Sequence, residues 1–500
     1  MRDSKGIPVL AARLCTLSLA IVLAGCSAIA VDRGLPGQSA RVEVPRQWAG
    51  AGDGALALSP AEVDARLVQW WTLLGDGELT SLIEQALEAN PGLRAAHMAV
   101  VQARAQFEQT RAGTLPGVDA SGSAQRSRQG NDGSSNYFSA GLDASWEIDL
   151  FGKLRSGVAA SEADFQASRA SLEGSRVSLA AEVALAYVEL RSAQQRLVIA
   201  QDNLGSQQET LQITEWRMQA GLTTSLVVEQ SRTQVRQTAA QLPQLASSIA
   251  QSRHALAVLT GRTPAALDEQ LSRTQALPSA PAQLTMRFPA DTLNQRPDVW
   301  QAGEQVRAAL ARVDEAQASR YPSLKLSGSL GLGAATVGAL TGGSAVAASI
   351  LGGLSVPVFD GGALRAQVEA RAAALEQSRS NYQSTVLAAL QEVEDALAAI
   401  KGDGERLLGL EAAAQSAANA NLLAQHQYTS GLVDFQTVLE TQRTLLSAQD
   451  SVVSTRASLL GGHISLYKAL GGGWSPQDDE GPPGQAGRRT TTDSQISQAG

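Results

Sequence analysis

Residues 183–218, VALAYVELRSAQQRLVIAQDNLGSQQETLQITEWRM, carry an apolar side chain at every seventh position. These positions are Val183, Leu190, Leu197, Leu204, Leu211 and Met218. A seven-residue repeat sustained over this length is typical of an α-helix that supercoils with partner helices. Proline is absent from residues 154–219, which predicts one helix. At about 1.5 Å per residue it would span roughly 100 Å.

The same pattern occurs again later in the chain. Its seventh positions are then Val393, Ile400, Leu407, Ala414, Asn421 and Tyr428. Short motifs are duplicated in the same order, as Asn90-Pro91 with Arg296-Pro297, Leu115-Pro116 with Tyr321-Pro322, Leu154-Arg155 with Leu364-Arg365, and Gly221-Leu222 with Gly431-Leu432. Positions 90–222 and 296–432 are therefore two copies of one pattern, which predicts two internal structural repeats.

Each long helix is predicted to return as the second arm of an antiparallel hairpin. The returning helices cover about 225–259 and 435–470, and the first ends at the helix-stop cluster Gly261-Arg262-Thr263-Pro264. Turn residues Gly221 and Gly431 precede them, so the two hairpin tips should lie there.

Four segments alternate apolar and polar residues with a period of two, which predicts strands over about 118–127, 137–146, 324–333 and 348–358. Strands of about ten residues with one apolar face suit a lipid-embedded barrel. The mature chain lacks the ~20 continuous apolar residues of a membrane helix, so any membrane crossing falls to these strands. Four strands cannot close a barrel, and lipid does not tolerate open sheet edges. The chain must therefore oligomerise.

The amino terminus has the order of a bacterial lipoprotein signal. Basic residues precede the apolar run 14–24, and Leu23-Ala24-Gly25-Cys26 places small residues before a cysteine. Cys26 is thus predicted to be the lipidated first residue of the mature chain. The alternative is a transmembrane anchor, for which the apolar run is short against ~30 Å of hydrocarbon. Ser27 follows the cysteine, at the position where the inner-membrane retention signal of bacterial lipoproteins usually has Asp. By this resemblance, delivery to the outer membrane is expected.

Composition excludes several classes of function. Cys15 would leave with the signal and Cys26 would be acylated, which leaves no thiol for a disulfide, a nucleophile or a metal site. Loss of residues 1–25 lowers the net charge from −8 to −10, which argues against nucleic acid as a partner. Four scattered histidines, His97, His254, His426 and His463, show no metal-ligand spacing.

Together these segments resemble the TolC-type outer-membrane efflux proteins, and more closely their lipidated OprM/NodT-like branch. The resemblance covers nearly all of residues 26–470. Its most specific parts are Trp70-Trp71 with Asp76, Leu79 and Leu82, then Asn90 to Ala96, Trp146 to Arg155, Asn294 to Val299, and Gly431 to Arg443.

The resemblance implies a mixed membrane α/β architecture in a homotrimer. Four strands per protomer would form a twelve-stranded transmembrane β-barrel in outer-membrane lipid, continued by a long antiparallel α-helical coiled-coil tunnel. The implied function is that of a passive exit duct for small molecules. Its implied partners are a periplasmic adaptor protein and an inner-membrane pump of the RND type. The covalent lipid on Cys26 would comprise diacylglycerol and an N-acyl chain, and no other cofactor is implied.

The implied domain order follows the two repeats. Residues 1–25 are the signal peptide, 26–60 a lipidated N-terminal segment, 61–265 the first repeat, 266–295 an equatorial connection, 296–470 the second repeat and 471–500 a disordered tail.

In the family the second hairpin carries an acidic pair and a tyrosine that close the periplasmic mouth. Carried over by position, the second acid falls on Glu440 and the tyrosine on Tyr428. The first acid falls on Thr437, the basic latch residue on Val433, and the partner aspartate of the first hairpin on Val227. Part of the latch is therefore missing, and nearby Asp434 is a possible substitute. The alternatives are a solvated carboxylate for Glu440 and a heptad core residue for Tyr428.

The tip residues Gly221, Leu222, Gly431 and Leu432 are the expected contact surface for the adaptor. Two other classes of protein are weighed against the duct. An envelope enzyme would need a convergent catalytic set. The two carboxylates on one side of a strand end, Glu147 and Asp149, lie at a strand-to-helix junction, which favours a structural role. A coiled-coil tether would leave the amphipathic strands without a purpose.

Overall fold

A computed structural model describes residues 44–50, 66–128, 133–280 and 289–474 of the chain. The predicted signal peptide 1–25, the lipidation site Cys26, residues 26–43 and 51–60 of the N-terminal segment, and residues 475–500 of the predicted tail lie outside the described residues.

Eight helices and four strands make up the main elements of the described chain. In chain order they are α1 Gly77–Ala89, α2 Pro91–Ala112, β1 Gly117–Ser127, β2 Ser135–Ile148, α3 Lys153–Gln219, α4 Ser225–Leu259, α5 Pro289–Gln295, α6 Pro297–Ala318, β3 Ser323–Ala334, β4 Val346–Ser355, α7 Ala363–Thr429 and α8 Phe435–Ala469. Short 3-10 turns lie at Trp70–Leu74, Pro264–Leu267, Val337–Thr341 and Gly343–Ala345. None of the helices in this part of the chain has an apolar stretch long enough to cross a bilayer.

Helices α3 and α7 have the same length, 67 residues each. Each begins after a glycine in the left-handed region, Gly152 with φ 85° and Gly362 with φ 91°. A side chain other than glycine is strained there, so these residues mark the abrupt change from the strand region to the helix. The returning helices α4 and α8 are 35 residues each. We call α3–α4 hairpin 1 and α7–α8 hairpin 2.

The four strands form one antiparallel sheet in the order β1-β2-β3-β4. Its register aligns the predicted apolar positions, because Leu142 lies opposite Leu330 and Leu330 lies opposite Ala348. On the other face the hydroxyls of Ser123 and Ser139 are 2.8 Å apart. One face of the sheet is therefore apolar and the other mainly polar, with Tyr137 and Leu351 as apolar members, and β1 and β4 form its two edges.

Strand β4 ends earlier than the sequence predicts. The prediction extends to position 358, whereas the strand ends at Ser355. Pro357 has no backbone N–H to donate to a ladder, so Val356 and Val358 lie beyond the strand despite continuing its alternation.

The main apolar core lies where the middle of α3 meets the segment around Trp70, α1 and the end of α8. Its largest fully buried members include Trp70, Tyr187 and Tyr467. The rings of Trp70 and Tyr467 stack with centroids 5.7 Å apart. Fully buried Arg191 forms an ion pair with Glu78 and donates to the carbonyl oxygen of Arg273 at 2.8 Å. This core therefore ties α1 and the segment after α4 to the long helix.

Residues at corresponding places in the two duplicated patterns make the same contact. The side-chain amide of Asn90 donates to the carbonyl oxygen of Leu259 at 2.9 Å. The guanidinium of Arg296 donates to the carbonyl oxygen of Ala469 at 2.8 Å. Each therefore ties the start of a short helix to the end of a returning helix.

The N-terminal segment 44–50 is held against α7. Trp48 is buried in the core, and the backbone N–H groups of Ala49 and Gly50 donate to the Glu394 carboxylate at 2.7 and 3.0 Å. A β-carbon added to Gly50 would lie 2.8 Å from the β-carbon of Leu397, so the backbone passes close to the helix.

The predicted heptad positions are buried along only part of α3. Val183 and Leu190 are fully buried, whereas Leu204 and Leu211 are half-buried and Met218 is 38% exposed. The buried residues of this lower part are polar: Asn203, Gln207, Thr210 and Thr214. A straight α-helix rotates a seven-residue repeat by about 20° per heptad, so the leucine positions turn away from the contact face. Within one copy of the chain, the apolar heptad positions therefore form a buried contact only along the upper part of α3.

Candidate functional site

The tips of the two hairpins have the same backbone structure. In hairpin 1 the N–H of Gly221 donates to the carbonyl of Met218, and the N–H of Leu222 donates to that of Arg217. In hairpin 2, Gly431 and Leu432 bond to Tyr428 and Gln427 in the same way. This pair of bonds is a Schellman motif, which needs a left-handed residue after the helix. Gly221 and Gly431 supply it, with φ 72° and 79°.

Each tip exposes a leucine directly after its glycine. Leu222 is 67% exposed and Leu432 is 76% exposed. Leu226, in the first turn of α4, is 66% exposed as well. Leucines held outward by a hydrogen-bonded turn form a small apolar surface at the end of each hairpin.

Asp434 acts as the N-cap of α8. Its carboxylate accepts hydrogen bonds from the backbone N–H and the hydroxyl of Thr437, at 3.0 and 2.9 Å. These bonds, first that from the backbone N–H, lower the pKa of Asp434 below its usual value. Thr437, the position of the family's first acid, thus serves as a partner of Asp434.

Tyr428 lies in a small apolar cluster at the base of the tip of hairpin 2. The buried members of this cluster are Ala424, Tyr428, Phe435, Val438 and Leu439. Tyr428 is 4% exposed, and its ring meets that of Phe435 edge to face, with centroids 5.9 Å apart. Val227 and Val433, which occupy the positions of the family's partner aspartate and basic residue, pack against the same cluster. The structure thus has apolar packing at positions where the family pattern has charged ones.

Tyr428 also contacts hairpin 1. Its hydroxyl lies 3.4 Å from that of Thr214, and its carbonyl oxygen accepts a hydrogen bond from Arg217 at 2.6 Å. The guanidinium carbon of Arg217 is 4.6 Å from the centroid of the Tyr428 ring. The sequence pattern did not single out Arg217. The available signal was its position in the last turn of α3, where a cation interacts favourably with the helix dipole.

Glu440 lies on the exposed face of α8, nearly two turns beyond the cap Asp434. Within the described residues its carboxylate has neither a hydrogen-bond donor nor an ion-pair partner, and only its backbone carbonyl is bonded, by Thr444. The structure therefore leaves the Glu440 carboxylate exposed and unpaired within the described residues.

Above the tips the two hairpins meet through buried polar side chains. We call this set the polar seam; it comprises Asn203, Gln207, Thr210, Thr214, Ser231, Gln234, Thr238, Asn421 and Gln442. Gln442 donates to Thr210 at 3.0 Å, and Arg443 donates to Gln234 at 2.7 Å. The seam ends near the ion pair of Arg196 with Asp450, whose shortest contact is 2.6 Å. Beyond it the apolar core begins.

The carboxylate pair at the strand-to-helix junction is used structurally. Glu147 accepts from Lys153 at 3.4 Å, and Asp149 accepts from the backbone N–H of Arg155 at 3.0 Å, which caps the start of α3. No group of three or more potential metal ligands occurs in the part of the chain that the structure covers.

The chain is similar to proteins of known type over most of its length. The family model described as outer membrane efflux protein matches residues 82–262 and 288–472. The toluene efflux pump outer membrane protein TtgC of Pseudomonas putida is 31% identical over 474 residues, covering 92% of this chain and 96% of that protein. The probable outer membrane lipoprotein SilC of Salmonella typhimurium is 28% identical over 465 residues, covering 92% and 99%. The solved outer-membrane channel OprN matches with a TM-score of 0.81 and 31% identity, covering 88% and 99%.

Proposed function

The chain belongs to the outer membrane efflux protein family, and on this premise we propose that three copies assemble into one exit duct. The observation that carries the proposal is the four-stranded sheet, with one apolar face and with β1 and β4 at its edges. Edge strands carry unpaired backbone groups, which cannot remain open in lipid. Three such sheets joined edge to edge form a closed barrel of twelve strands, and their polar faces line the water-filled interior.

We propose that the long hairpins continue this barrel as a tunnel across the periplasm. Helices α3 and α7 of three protomers, with their returning helices, enclose one aqueous path. The duct consumes no energy itself, so transport is driven by an inner-membrane pump of the RND type through a periplasmic adaptor. The adaptor binds the hairpin tips, where Gly221-Leu222 and Gly431-Leu432 form rigid turns with exposed leucines.

We also propose that the two halves of the chain are structural repeats. The equal lengths of α3 and α7, and of α4 and α8, support this proposal. The matching contacts of Asn90 with Leu259 and of Arg296 with Ala469 support it as well.

The periplasmic gate is proposed to lie at the tips. Glu440 contributes one carboxylate per protomer to a ring around the threefold axis, Tyr428 packs the tip of hairpin 2, and Asp434 holds the start of α8. Because the Glu440 carboxylate is exposed and unpaired, three copies near one axis would attract cations and repel anions.

Covalent lipid on Cys26 is proposed to anchor the N-terminus in the outer membrane. The small residues before Cys26 and the name of the similar lipoprotein SilC support it. Mass spectrometry of the mature protein should find Cys26 acylated; a free thiol there would refute the anchor.

Assembly and gating can be tested separately. Native mass spectrometry of detergent-purified protein should give a trimer, and a stable monomer would exclude the shared barrel. Proline at Ser123 or Leu330, within strands, should prevent assembly because it removes a ladder donor.

For the gate, Glu440→Gln should reduce cation selectivity in planar bilayers with little change in conductance, while Glu440→Ala should change both. The effect should be strongest at low salt, because the Debye length is about 10 Å at 0.1 M. Glu88→Gln, which removes another exposed acid, on α1, is the matched control. If the unsubstituted protein and the Glu440→Gln, Glu440→Ala and Glu88→Gln variants all have the same cation selectivity, Glu440 is not part of the gate.

A further inference from the structure

We propose that Arg217 is the residue that holds the two hairpin tips together when the mouth is closed. This inference rests on the proposed placement of the gate at the tips. It assigns a positioning role to a residue of α3 that lies outside the family positions carried over above.

The Arg217 side chain makes two contacts with a single residue of the other hairpin. Its Nη1 atom donates to the carbonyl oxygen of Tyr428 at 2.6 Å, and its guanidinium carbon lies 4.6 Å from the centroid of the Tyr428 ring. The backbone and the ring of Tyr428 are therefore both held by one cation from hairpin 1.

The location of Tyr428 makes these contacts strong. Its carbonyl is one of the last four of α7, which carry the negative end of the helix dipole, and it accepts from Arg217 in addition to the N–H of Gly431. A cation there is stabilised by the dipole. Tyr428 is also 4% exposed, and a cation–π contact gains strength when the ring is removed from water. The planar guanidinium can donate and stack at once, which an ammonium group cannot.

Among the described side chains near Tyr428, Arg217 supplies the charged contact between the hairpins, whereas Thr214 of hairpin 1 makes only a long hydroxyl contact, at 3.4 Å. Val227 and Val433 pack against its cluster without charge. Arg232, the neighbouring cation of hairpin 1, bonds to Glu215 and forms an ion pair with Glu229, and both acids belong to hairpin 1. Arg232 is therefore a matched control, because its removal deletes the same charge from the same hairpin without touching hairpin 2.

The link can be measured through the accessibility of the Tyr428 cluster. Val438 is fully buried in that cluster, so the rate at which Val438→Cys reacts with a maleimide reports separation of the tips. The full-length trimer in lipid nanodiscs would carry this substitution alone or with Arg217→Gln, Arg217→Lys or Arg232→Gln. Mass spectrometry of the peptide containing position 438 gives each rate.

Arg217→Gln should accelerate alkylation at least tenfold, which corresponds to about 1.4 kcal/mol. Arg217→Lys should give an intermediate rate, because it keeps the charge near the helix end but loses the planar stack. Arg232→Gln should leave the rate unchanged. Equal rates for Arg217→Gln and Arg232→Gln would overturn the inference. If Arg217→Gln does not assemble, Arg217→Lys is compared with the protein that carries Val438→Cys alone. A faster rate for Arg217→Lys supports the link, and an equal rate refutes it.

Conductance in planar bilayers separates this inference from the proposed gate. Faster alkylation with higher conductance supports both. Faster alkylation with unchanged conductance supports Arg217 as the link but excludes the tips as the gate. Unchanged alkylation refutes the link whatever the conductance.

Discussion

Asn90 and Arg296 perform the same task at corresponding points of the chain, since each donates a side-chain hydrogen bond to a carbonyl at the end of a returning helix. Asn90 also caps its own helix by accepting from the N–H of Leu93. Arg296 is 6% exposed and forms ion pairs with Asp298 and Glu392. The same attachment is thus made once by a neutral amide and once by a buried cation.

This difference predicts unequal costs of truncation. Arg296→Ala should lower the free energy of unfolding by about 2–3 kcal/mol, because it removes charged hydrogen bonds, including the one to the carbonyl of Ala469. Asn90→Ala should cost only about 1 kcal/mol, the usual loss for a helix cap. Thermal unfolding followed by circular dichroism measures both, with exposed Arg94→Ala as the control. Equal costs for Asn90→Ala and Arg296→Ala would contradict this account.

Buried His463 predicts a pH dependence of stability. It is 4% exposed, its Nδ1 has no partner in the described chain, and burial lowers its pKa. Below the unfolded pKa of about 6.5 the unfolded chain binds a proton that the folded chain does not. Stability should therefore fall as the pH drops below about 6.5, with a slope of up to about 1.4 kcal/mol per pH unit.

His463→Leu should remove this part of the slope. The free energy of unfolding is measured for His463→Leu and for the unsubstituted protein between pH 7.5 and 5. Both proteins contain the same carboxylates, so their contribution cancels in the difference. Parallel stability curves would show that His463 does not titrate between the two states.

Glu394 predicts the behaviour of the N-terminal segment. Its carboxylate accepts from two consecutive backbone N–H groups, so Glu394→Ala should release residues 44–50 from α7. Trypsin should then cleave faster after exposed Arg46. Asp395→Ala removes the adjacent acid, which accepts a hydrogen bond from Gln391, and should not change the rate. Equal cleavage in both variants would mean that Trp48 alone holds the segment.

The turn glycines predict local strain on substitution. Gly221→Ala and Gly431→Ala place a β-carbon on a left-handed backbone, which costs about 1–2 kcal/mol. Hydrogen exchange at the tip amides should speed up about tenfold for each 1.4 kcal/mol. Gly205→Ala is the control, because Gly205 lies inside α3 with open space around it and should gain about 0.5–1 kcal/mol. Slower exchange at a substituted tip would contradict the strained turn.

The sequence predicts the regular elements closely where a single local signal decides them. Freedom from proline and a glycine at each end define α3 and α7, and the alternation of residues in β1 to β3 agrees with the observed register. The end of β4 was missed because alternation continues past Pro357, where ladder pairing cannot.

The parts of the site that depend on distant residues could not be predicted. Apolar periodicity selected Leu204 and Leu211, whereas the buried contacts there are polar and are set by the rotation of the helix. Arg217 bonds to a backbone carbonyl 211 positions away. A carbonyl has no side-chain identity, so no residue pattern marks it as a partner. The roles of Glu440, Tyr428, Asp434 and Cys26 stay predictions.

The polar seam also has a consequence for the temperature dependence of opening. Exposure of apolar surface raises the heat capacity, by about 0.45 cal/K/mol per Å², whereas exposure of polar surface lowers it, by about 0.26. Separation along pairs such as Thr210 with Gln442 exposes amides and hydroxyls together with the methyl and methylene groups of the same side chains. The polar and apolar contributions to the heat capacity therefore largely cancel along the seam. We therefore expect the seam to add little to the heat-capacity change of opening, so that the curvature of a van't Hoff plot of the open fraction comes mainly from the small apolar cluster around Tyr428.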